Sequence, residues 1–273
     1  MLLKVKDYRK VFVCGDIHGN LELLKKGLEK LGYDSNKDVI VTMGDVIDRG
    51  KESLETALFF LEPEQTENGL PSAVSSRGNH EDFGIDAHVK NNKDWIDSWH
   101  YHGGAWTKEH SEEVLTELFT RIEKTFPLYI DIEFKGKNII ASHAAVPGYD
   151  YDKITSIKDE ELVKNWLLKK AESLPVEKFL EENEDYLDDD EFLLESLPVC
   201  GADLSIHGHS HTHNPYLYKN RLYLDTGCFK NYLTIMTLSE DGLDMSGFKM
   251  NESELETINV DSKVKDDLRK ILL

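Results

Sequence analysis

Seven side chains able to bind metal ions recur along the chain, six of them inside short runs that contain Gly. Asp16 and His18 lie two apart in Gly15-Asp16-Ile17-His18-Gly19-Asn20, and Asp45 opens Gly44-Asp45-Val46-Ile47-Asp48-Arg49-Gly50. A carboxylate and an imidazole at i and i+2 in a loop leaving a strand can both turn toward one ion. A second carboxylate from a neighbouring strand end can then bridge that ion to another. Asn79, in Arg77-Gly78-Asn79-His80-Glu81, offers a neutral carbonyl oxygen, and His143, His209 and His211 add imidazoles. This set of oxygen and nitrogen, with no thiolate, suits Mn²⁺, Fe or Zn²⁺ over Cu(I), and its imidazoles argue against a pure Mg²⁺ or Ca²⁺ cage. Two ions about 3.5–4 Å apart can share a hydroxide and clamp a phosphate's oxygens during in-line displacement. The chemistry expected is therefore hydrolysis of a phosphate ester.

Each element alone has a plainer reading. Gly-Asp pairs punctuate turns, a single histidine is more often a satisfied core residue, and the His207 to His213 run could be an exposed histidine-rich tract. What favours the metal reading is that these residues fall, in order, at expected strand ends. His88, His100, His102, His110, His207 and His213 have no such placement and are read as structural.

The elements that must position these groups follow a β-loop-α scheme. Val11 to Cys14 reads as a buried strand before the first loop, with Leu21, Leu24, Leu28 and Leu31 on one face of the next helix. Val39 to Met43 and Ala73 to Ser75 repeat the scheme before the second and third loops. Alternating strands and helices predict a largely parallel sheet with ligands at the carboxyl ends of its strands. Tyr129 to Ile132 and Asn138 to Ser142 read as a hairpin around Lys135-Gly136-Lys137 that delivers His143. Leu204 to Ile206, Tyr216 to Tyr218, Arg221 to Asp225 and Leu233 to Leu238 read as a second, mainly antiparallel group with a turn at Lys219-Asn220.

The domain layout expected is a single domain over 1–250 with a helical C-terminal tail over 251–273. The domain carries a polar helical sub-lobe over 91–126, broken at Gly103-Gly104, and an acidic insert over 172–198. Helix is also expected over 157–171, and the densest acid run is Glu181 to Glu191, read as a solvated insert. In the tail, Leu255, Ile258, Val264 and Leu268 have loose helical spacing, compatible with core docking or a dimer contact.

Composition narrows the partners. The chain has 273 residues and a formal net charge of −20, which opposes a nucleic-acid polymer as partner but not a small or peptide phosphate held by bound metals. Three cysteines with no C-x-x-C pair argue against a disulfide framework or thiolate zinc site. No apolar run reaches the roughly 18 residues of a membrane span, and Met1 to Lys10 lacks an apolar signal core. A cytoplasmic protein without a membrane partner is expected.

Gly15-Asp16-Ile17-His18-Gly19, Gly44-Asp45-Val46-Ile47-Asp48-Arg49-Gly50, Arg77-Gly78-Asn79-His80-Glu81, Ser142-His143-Ala144, Gly208-His209 and Asp225-Thr226-Gly227 together carry a resemblance. From about Tyr8 to Leu238 the sequence resembles the calcineurin-like metallophosphoesterases. Within them it is similar to the PPP serine/threonine phosphatases, in particular the small phage and bacterial branch typified by lambda phosphatase. The resemblance implies an α/β fold of four layers (α/β/β/α), two mixed sheets flanked by helices. It implies Asp16, His18 and Asp45 on one ion, and Asp45, Asn79, His143 and His209 on the other. It also implies His80 as the general acid, Asp48 as the group that orients it, and Arg49 and Arg77 as phosphate clamps. The chemistry agrees: a carboxylate on the far ring nitrogen favours imidazolium, and a guanidinium fork grips two oxygens.

Two departures bear on the substrate. PPP enzymes use a further arginine after the His143-type strand, yet no arginine occurs between Arg121 and Arg221; Lys153, Lys158 and Lys164 are only point charges. Gly208-His209-Ser210-His211 instead follows the wider superfamily, whose second histidine also binds metal, so that His211 would complete the first ion. The leading expectation is a Mn²⁺-dependent phosphomonoesterase acting on a phosphorylated peptide, protein or small phosphate ester. A bis(5′-nucleosyl)-tetraphosphatase or other phosphodiesterase is the alternative, and a catalytically inactive metal-binding scaffold stands behind both.

Overall fold

The computed structural model describes residues 1–144, 198–252 and 254–273. The helix expected over 157–171, the acid run Glu181 to Glu191, the insert up to residue 197 and Lys153, Lys158 and Lys164 lie outside the described residues.

Two mixed six-stranded sheets form the frame. One has the order β12-β11-β10-β2-β3-β4, built from β2 (Lys10–Cys14), β3 (Val39–Thr42), β4 (Ala73–Ser75), β10 (Tyr232–Ser239), β11 (Gly242–Asn251) and β12 (Glu254–Ile258). The other has the order β1-β5-β6-β7-β9-β8, from β1 (Leu2–Lys4), β5 (Tyr129–Phe134), β6 (Lys137–Ser142), β7 (Leu204–His207), β8 (Tyr216–Tyr218) and β9 (Arg221–Tyr223).

The strand period of two sorts side chains between two cores. Val11 and Val13 of β2 face the inter-sheet core with Val39, Val41, Ile130, Ile132, Ala141 and Ile206. Phe12 and Cys14 point the other way, into a layer of helices with Ile40, Leu24, Leu28 and Phe119. Those helices are α1 (Leu21–Lys30), α2 (Ser53–Leu61), α3 (Asn79–His88), α4 (Ile96–Tyr101) and α5 (Glu112–Thr125). Each fully buried aliphatic or aromatic side chain contributes about 1.5–3 kcal/mol.

Register sets the strand ends side by side. Cys14 pairs with Thr42 and Thr42 with Ser75 in the parallel trio β2-β3-β4, so the first three loops leave from adjacent points. In the other sheet Ser142 pairs with His207 and His207 with Tyr223, also in parallel, so His143, Gly208 and the Leu224-Asp225 segment leave together.

Three expectations need correction. The second strand group is not mainly antiparallel: β6-β7 and β7-β9 are parallel, and only β8-β9 turns back at Lys219-Asn220. Leu233 to Leu238 belongs to the other sheet, where β10 pairs antiparallel with β2, because Met236 and Leu238 complete the inter-sheet core. The helical tail divides: Glu254–Ile258 is an edge strand on β11, and only α6 (Ser262–Leu272) is helical, with Leu268 and Leu272 buried in the same core. The hairpin turns as expected, through Lys135 and Gly136 at φ 51° and 76°, the left-handed pair that a two-residue turn requires.

Candidate active site

The first and second loops are stitched together by their backbones. Ile17 and His18 N–H donate to the Asp45 carbonyl at 3.1 and 2.8 Å, and Gly19 N–H to Val46 at 2.8 Å. His18 and Asp45 hold positive φ of 50° and 47°, which turns their side chains back toward the strand ends. The third loop runs into the first turn of α3, so Asn79 and His80 project from a helix start.

Gly78 and Gly208 matter here for close approach. A Cβ on Gly78 would lie 2.2 Å from Asp45 Oδ1, and one on Gly208 2.2 Å from Asp16 Oδ1. Only hydrogen fits at either point.

The structure brings Asp16, His18, Asp45, Asn79, His143 and His209 to one place. His18 donates Nδ1–H to the Ile47 carbonyl at 3.0 Å, and His143 donates Nδ1–H to the Met43 carbonyl at 2.8 Å. A carbonyl can only accept, so in each ring Nε2 carries a lone pair pointed at the cleft. Burial holds both histidines below their ordinary value, that is, neutral, the metal-binding form. Asp45 Oδ2 stands 3.7 Å from His18 Nε2 and 3.5 Å from His143 Nε2, midway between the two halves of the cleft. Asn79 Oδ1 is 2.8 Å from His143 Nε2 and 2.9 Å from His209 Nδ1. Asp16 lies 3.7 Å from His18 Nε2 and accepts the His209 backbone N–H at 3.0 Å.

Two groups of mutually close donor atoms result, His18–Asp45–His80 and Asp45–His143–His209, with Asp45 common to both. Lone pairs and carbonyl oxygens held this close repel unless a cation lies among them. Asp16 shows the same deficit, its carboxyl raised well above the usual range by burial and by Asp225 and Asp45. The donor set therefore fits divalent cations.

One member of the first group, His80, also belongs to an acid-base pair. His80 Nδ1 meets Asp48 Oδ2 at 2.6 Å, and Asp48 is fully buried. Burial opposes charge on the imidazole, but Asp45 and Asp48 together outweigh it, and His80 sits above its ordinary value. Arg49 stacks over the Phe229 ring at 4.8 Å and reaches His18 Nε2 at 2.6 Å and His80 Nε2 at 3.2 Å.

Arg77 and His211 make none of these short contacts. Arg77 is not among the residues lining the cleft; its backbone N–H ties the third loop to Pro127 at 2.8 Å. His211 lines the cleft beside Phe229, with ring centroids 5.7 Å apart, but belongs to neither donor group among the described residues. His207, read as structural, bonds the Ala144 carbonyl at 2.7 Å and Ser205 Oγ at 2.9 Å.

Several working residues had no role assigned from the sequence. Glu81, fully buried, accepts backbone N–H bonds from Gly78, Asp45, Val46 and Ile47 and so staples the third loop to the second. Its carboxyl is pushed up to about 8 by burial and by Asp45. Trp99 and Trp106 donate their indole N–H groups to Asp48. Asp225 fixes the Gly227 turn at 2.8 Å and faces Asp16. The spacing of Glu81 three residues after Gly78 is the one local cue, a helix-capping pattern that the structure contains.

The cleft has a volume of about 670 Å³. Its floor is the donor groups; its wall, from Phe83, Trp95, Ile96 and Trp99, is apolar. Arg49 is the one lysine or arginine among its described lining residues, against five aspartates, Asp16, Asp45, Asp82, Asp86 and Asp225.

Comparison with known proteins agrees with this geometry. Residues 9–213 match the family described as calcineurin-like phosphoesterase. Serine/threonine-protein phosphatase 2 of Salmonella typhimurium is 30% identical over 227 residues, 81% of this chain and 89% of its own. The protein of the same description from Escherichia coli is 30% identical over 223 residues, 81% and 88%. Among solved structures, a protein serine/threonine phosphatase from Saccharomyces cerevisiae superposes with a TM-score of 0.59 at 15% identity, over 92% of this chain and 84% of that one. A putative diadenosine tetraphosphatase gives 0.57 at 18% identity, over 90% and 97%; both show the shared fold. Since the matched span contains every loop that lines the cleft floor except the Asp225 turn, the chain belongs to the calcineurin-like phosphoesterase family and is a metal-dependent hydrolase of phosphoric esters.

Proposed function

We propose that the protein is a phosphomonoesterase for phosphorylated serine or threonine side chains, using two divalent cations, Mn²⁺ first among them, in the cytoplasm. Asp16, His18 and Asp45 would hold one ion and Asp45, Asn79, His143 and His209 the other, with His211 at the margin of the first. When bound, such ions polarise the phosphoryl oxygens and lower the pKa of water, supplying a nucleophile near neutral pH.

The chain's own groups do the rest. Arg49, braced by Phe229, presents its fork beside His80 and neutralises charge on the phosphate. As a water oxygen bonds to phosphorus and gives up its proton to solvent, the ester P–O bond breaks, and its electron pair passes to the leaving oxygen, which takes the proton from His80 Nε2. Asp48 on Nδ1 holds the ring in register and stabilises its charged form before transfer. The apolar wall keeps water from competing for these groups.

The observation that carries the monoester reading is the cleft's charge. Among the described lining residues, one guanidinium against five aspartates suits a single phosphate, neutralised by two metal ions, over a chain of phosphates. The fold shared with a putative diadenosine tetraphosphatase gives the alternative its place. A phosphoserine peptide, an aryl phosphate, a bis-aryl phosphate and a dinucleoside tetraphosphate, assayed side by side with Mn²⁺, separate the readings. Highest kcat/KM on the peptide or aryl monoester is expected. Preference for either diester overturns the first choice, and no turnover of any of them favours an inactive scaffold. No helix among the described residues is long and apolar enough to cross a membrane.

A further inference from the structure

The Asp48 carboxylate is fully buried and receives three donors. His80 Nδ1 and Trp99 Nε1 both reach Oδ2, at 2.6 and 2.5 Å, and Trp106 Nε1 reaches Oδ1 at 2.6 Å. An indole N–H donates one bond and accepts none, and it carries no charge. Two such donors fix the carboxylate plane without cancelling its charge, as an arginine in their place would do. The imidazole is then the one titratable donor among the three that hold Asp48.

The segment that carries both tryptophans is shaped to press on this loop. Asp48 and Arg49 hold left-handed φ of 72° and 67°, costly for residues with a Cβ. Arg49 N–H is pinned by the Gly103 carbonyl at 3.2 Å. A Cβ on Gly103, itself at φ 124°, would come within 2.6 Å of Arg49 N, and one on Gly104 within 2.5 Å of the Trp99 ring. The Gly103-Gly104 break thus lets Trp99 turn inward and the chain close on Arg49. Trp99 is also seated by Phe119 and His88, ring centroids 5.8 and 5.9 Å away.

We infer that Trp99 and Trp106 are positioning residues for proton donation: their paired indole N–H groups lock Asp48 so that His80 Nε2 is aimed at the leaving oxygen. The inference rests on the phosphomonoesterase reading for its kinetic consequence, and on the hydrogen-bond geometry for its structural one. Loss of one donor leaves an oxygen of a buried carboxylate underbonded, and Asp48 and His80 then swing together. Esters whose leaving group departs without a proton tolerate that swing; poor leaving groups do not.

The test uses Trp99→Phe and Trp106→Phe, which keep a ring and remove the N–H, with p-nitrophenyl phosphate and phenyl phosphate in Mn²⁺. The expected result is a loss in kcat about 10-fold larger on phenyl phosphate than on p-nitrophenyl phosphate, with KM and bound metal unchanged. Equal losses on the two esters, a change confined to KM, or no loss overturns the inference, since a merely structural role lowers both esters alike. A second measurement needs neither turnover nor metal: ¹⁵N-tryptophan spectra of the wild type and of Asp48→Asn. Two exchange-protected, downfield indole N–H signals that both move in Asp48→Asn are expected. Their absence in the wild type, or indifference to Asp48→Asn, overturns the clamp even where a phenylalanine variant fails to fold. A wild type that shows both signals yet hydrolyses neither ester sinks the phosphomonoesterase reading and, with it, the kinetic half of the inference, leaving the clamp as a structural fact.

Discussion

At the scale of single residues, the site depends on which lone pairs are free to meet a cation. Asp45 is the shared member of both donor groups, so Asp45→Ala should remove the bridge. We expect metal content to fall below two ions per chain by elemental analysis and turnover to drop by at least about 10³-fold; full activity with two retained ions would refute its bridging place. His80 behaves differently because its charge is the working state. Its proton affinity is raised above the ordinary 6.5 once Asp45 and Asp48 overcome burial. The folded state then holds this proton more tightly than the unfolded chain. The associated stability is fully present below about pH 6.5 and lost as pH rises through the higher folded value. For the same reason, kcat on phenyl phosphate should fall on the alkaline side as His80 deprotonates, and Asp48→Asn should move that limb to lower pH. A limb that stays put or moves up would remove Asp48 from its role. Asp16, His18 and Asn79 were legible as candidates because their cue is local, a Gly-rich loop after a short apolar run. Trp99 and Trp106 were not, since an indole fifty or more residues from Asp48 has no local cue to its partner.

At the scale of elements, the loops are rigid because other elements hold them. Glu81 at the start of α3 does this for the loop after β3, taking N–H bonds from Asp45 and Val46 at 2.8 and 2.9 Å. Glu81→Ala would strand buried donors on both loops, and a loss of about 3 kcal/mol in chemical denaturation is expected. A loss within about 0.5 kcal/mol would mean that the loops hold each other unaided. The strands β2, β3 and β4 were legible from their apolar runs, as was the tight turn at Lys135-Gly136. The partner of β10 was not: an apolar stretch tells that a strand is buried, not which sheet buries it. In the edge strand Glu254–Ile258, Leu255 and Ile258 also fit a helical period, and only pairing with β11 separates the two.

At the scale of the whole molecule, the two sheets hold opposite halves of the site. Asp16, Asp45 and Asn79 come from ends of β2, β3 and β4, while His143 and His209 follow β6 and β7. Ions bound across this seam stabilise the folded chain, by about 2.7 kcal/mol per site at a hundredfold excess over Kd. For a domain of this size that corresponds to a rise in Tm of about 5–10 °C per ion. Adding Mn²⁺ to chelator-treated protein in a calorimeter checks this, and an unchanged Tm would show that the halves meet without need of a cation.

By itself, the amino-acid sequence determined the chemistry and its class: which side chains could bind metal and in what loops, with the acid-base pair and the guanidinium coming only from the family resemblance. The candidate ligands are a matter of residue type and of spacing within a few positions. Tertiary structure alone decided what depends on register and packing: that β10 joins β2, that Glu254–Ile258 pairs with β11, and that two tryptophans grip Asp48. Each of these is a contact between separate segments, fixed only when the strands align and the two cores fill.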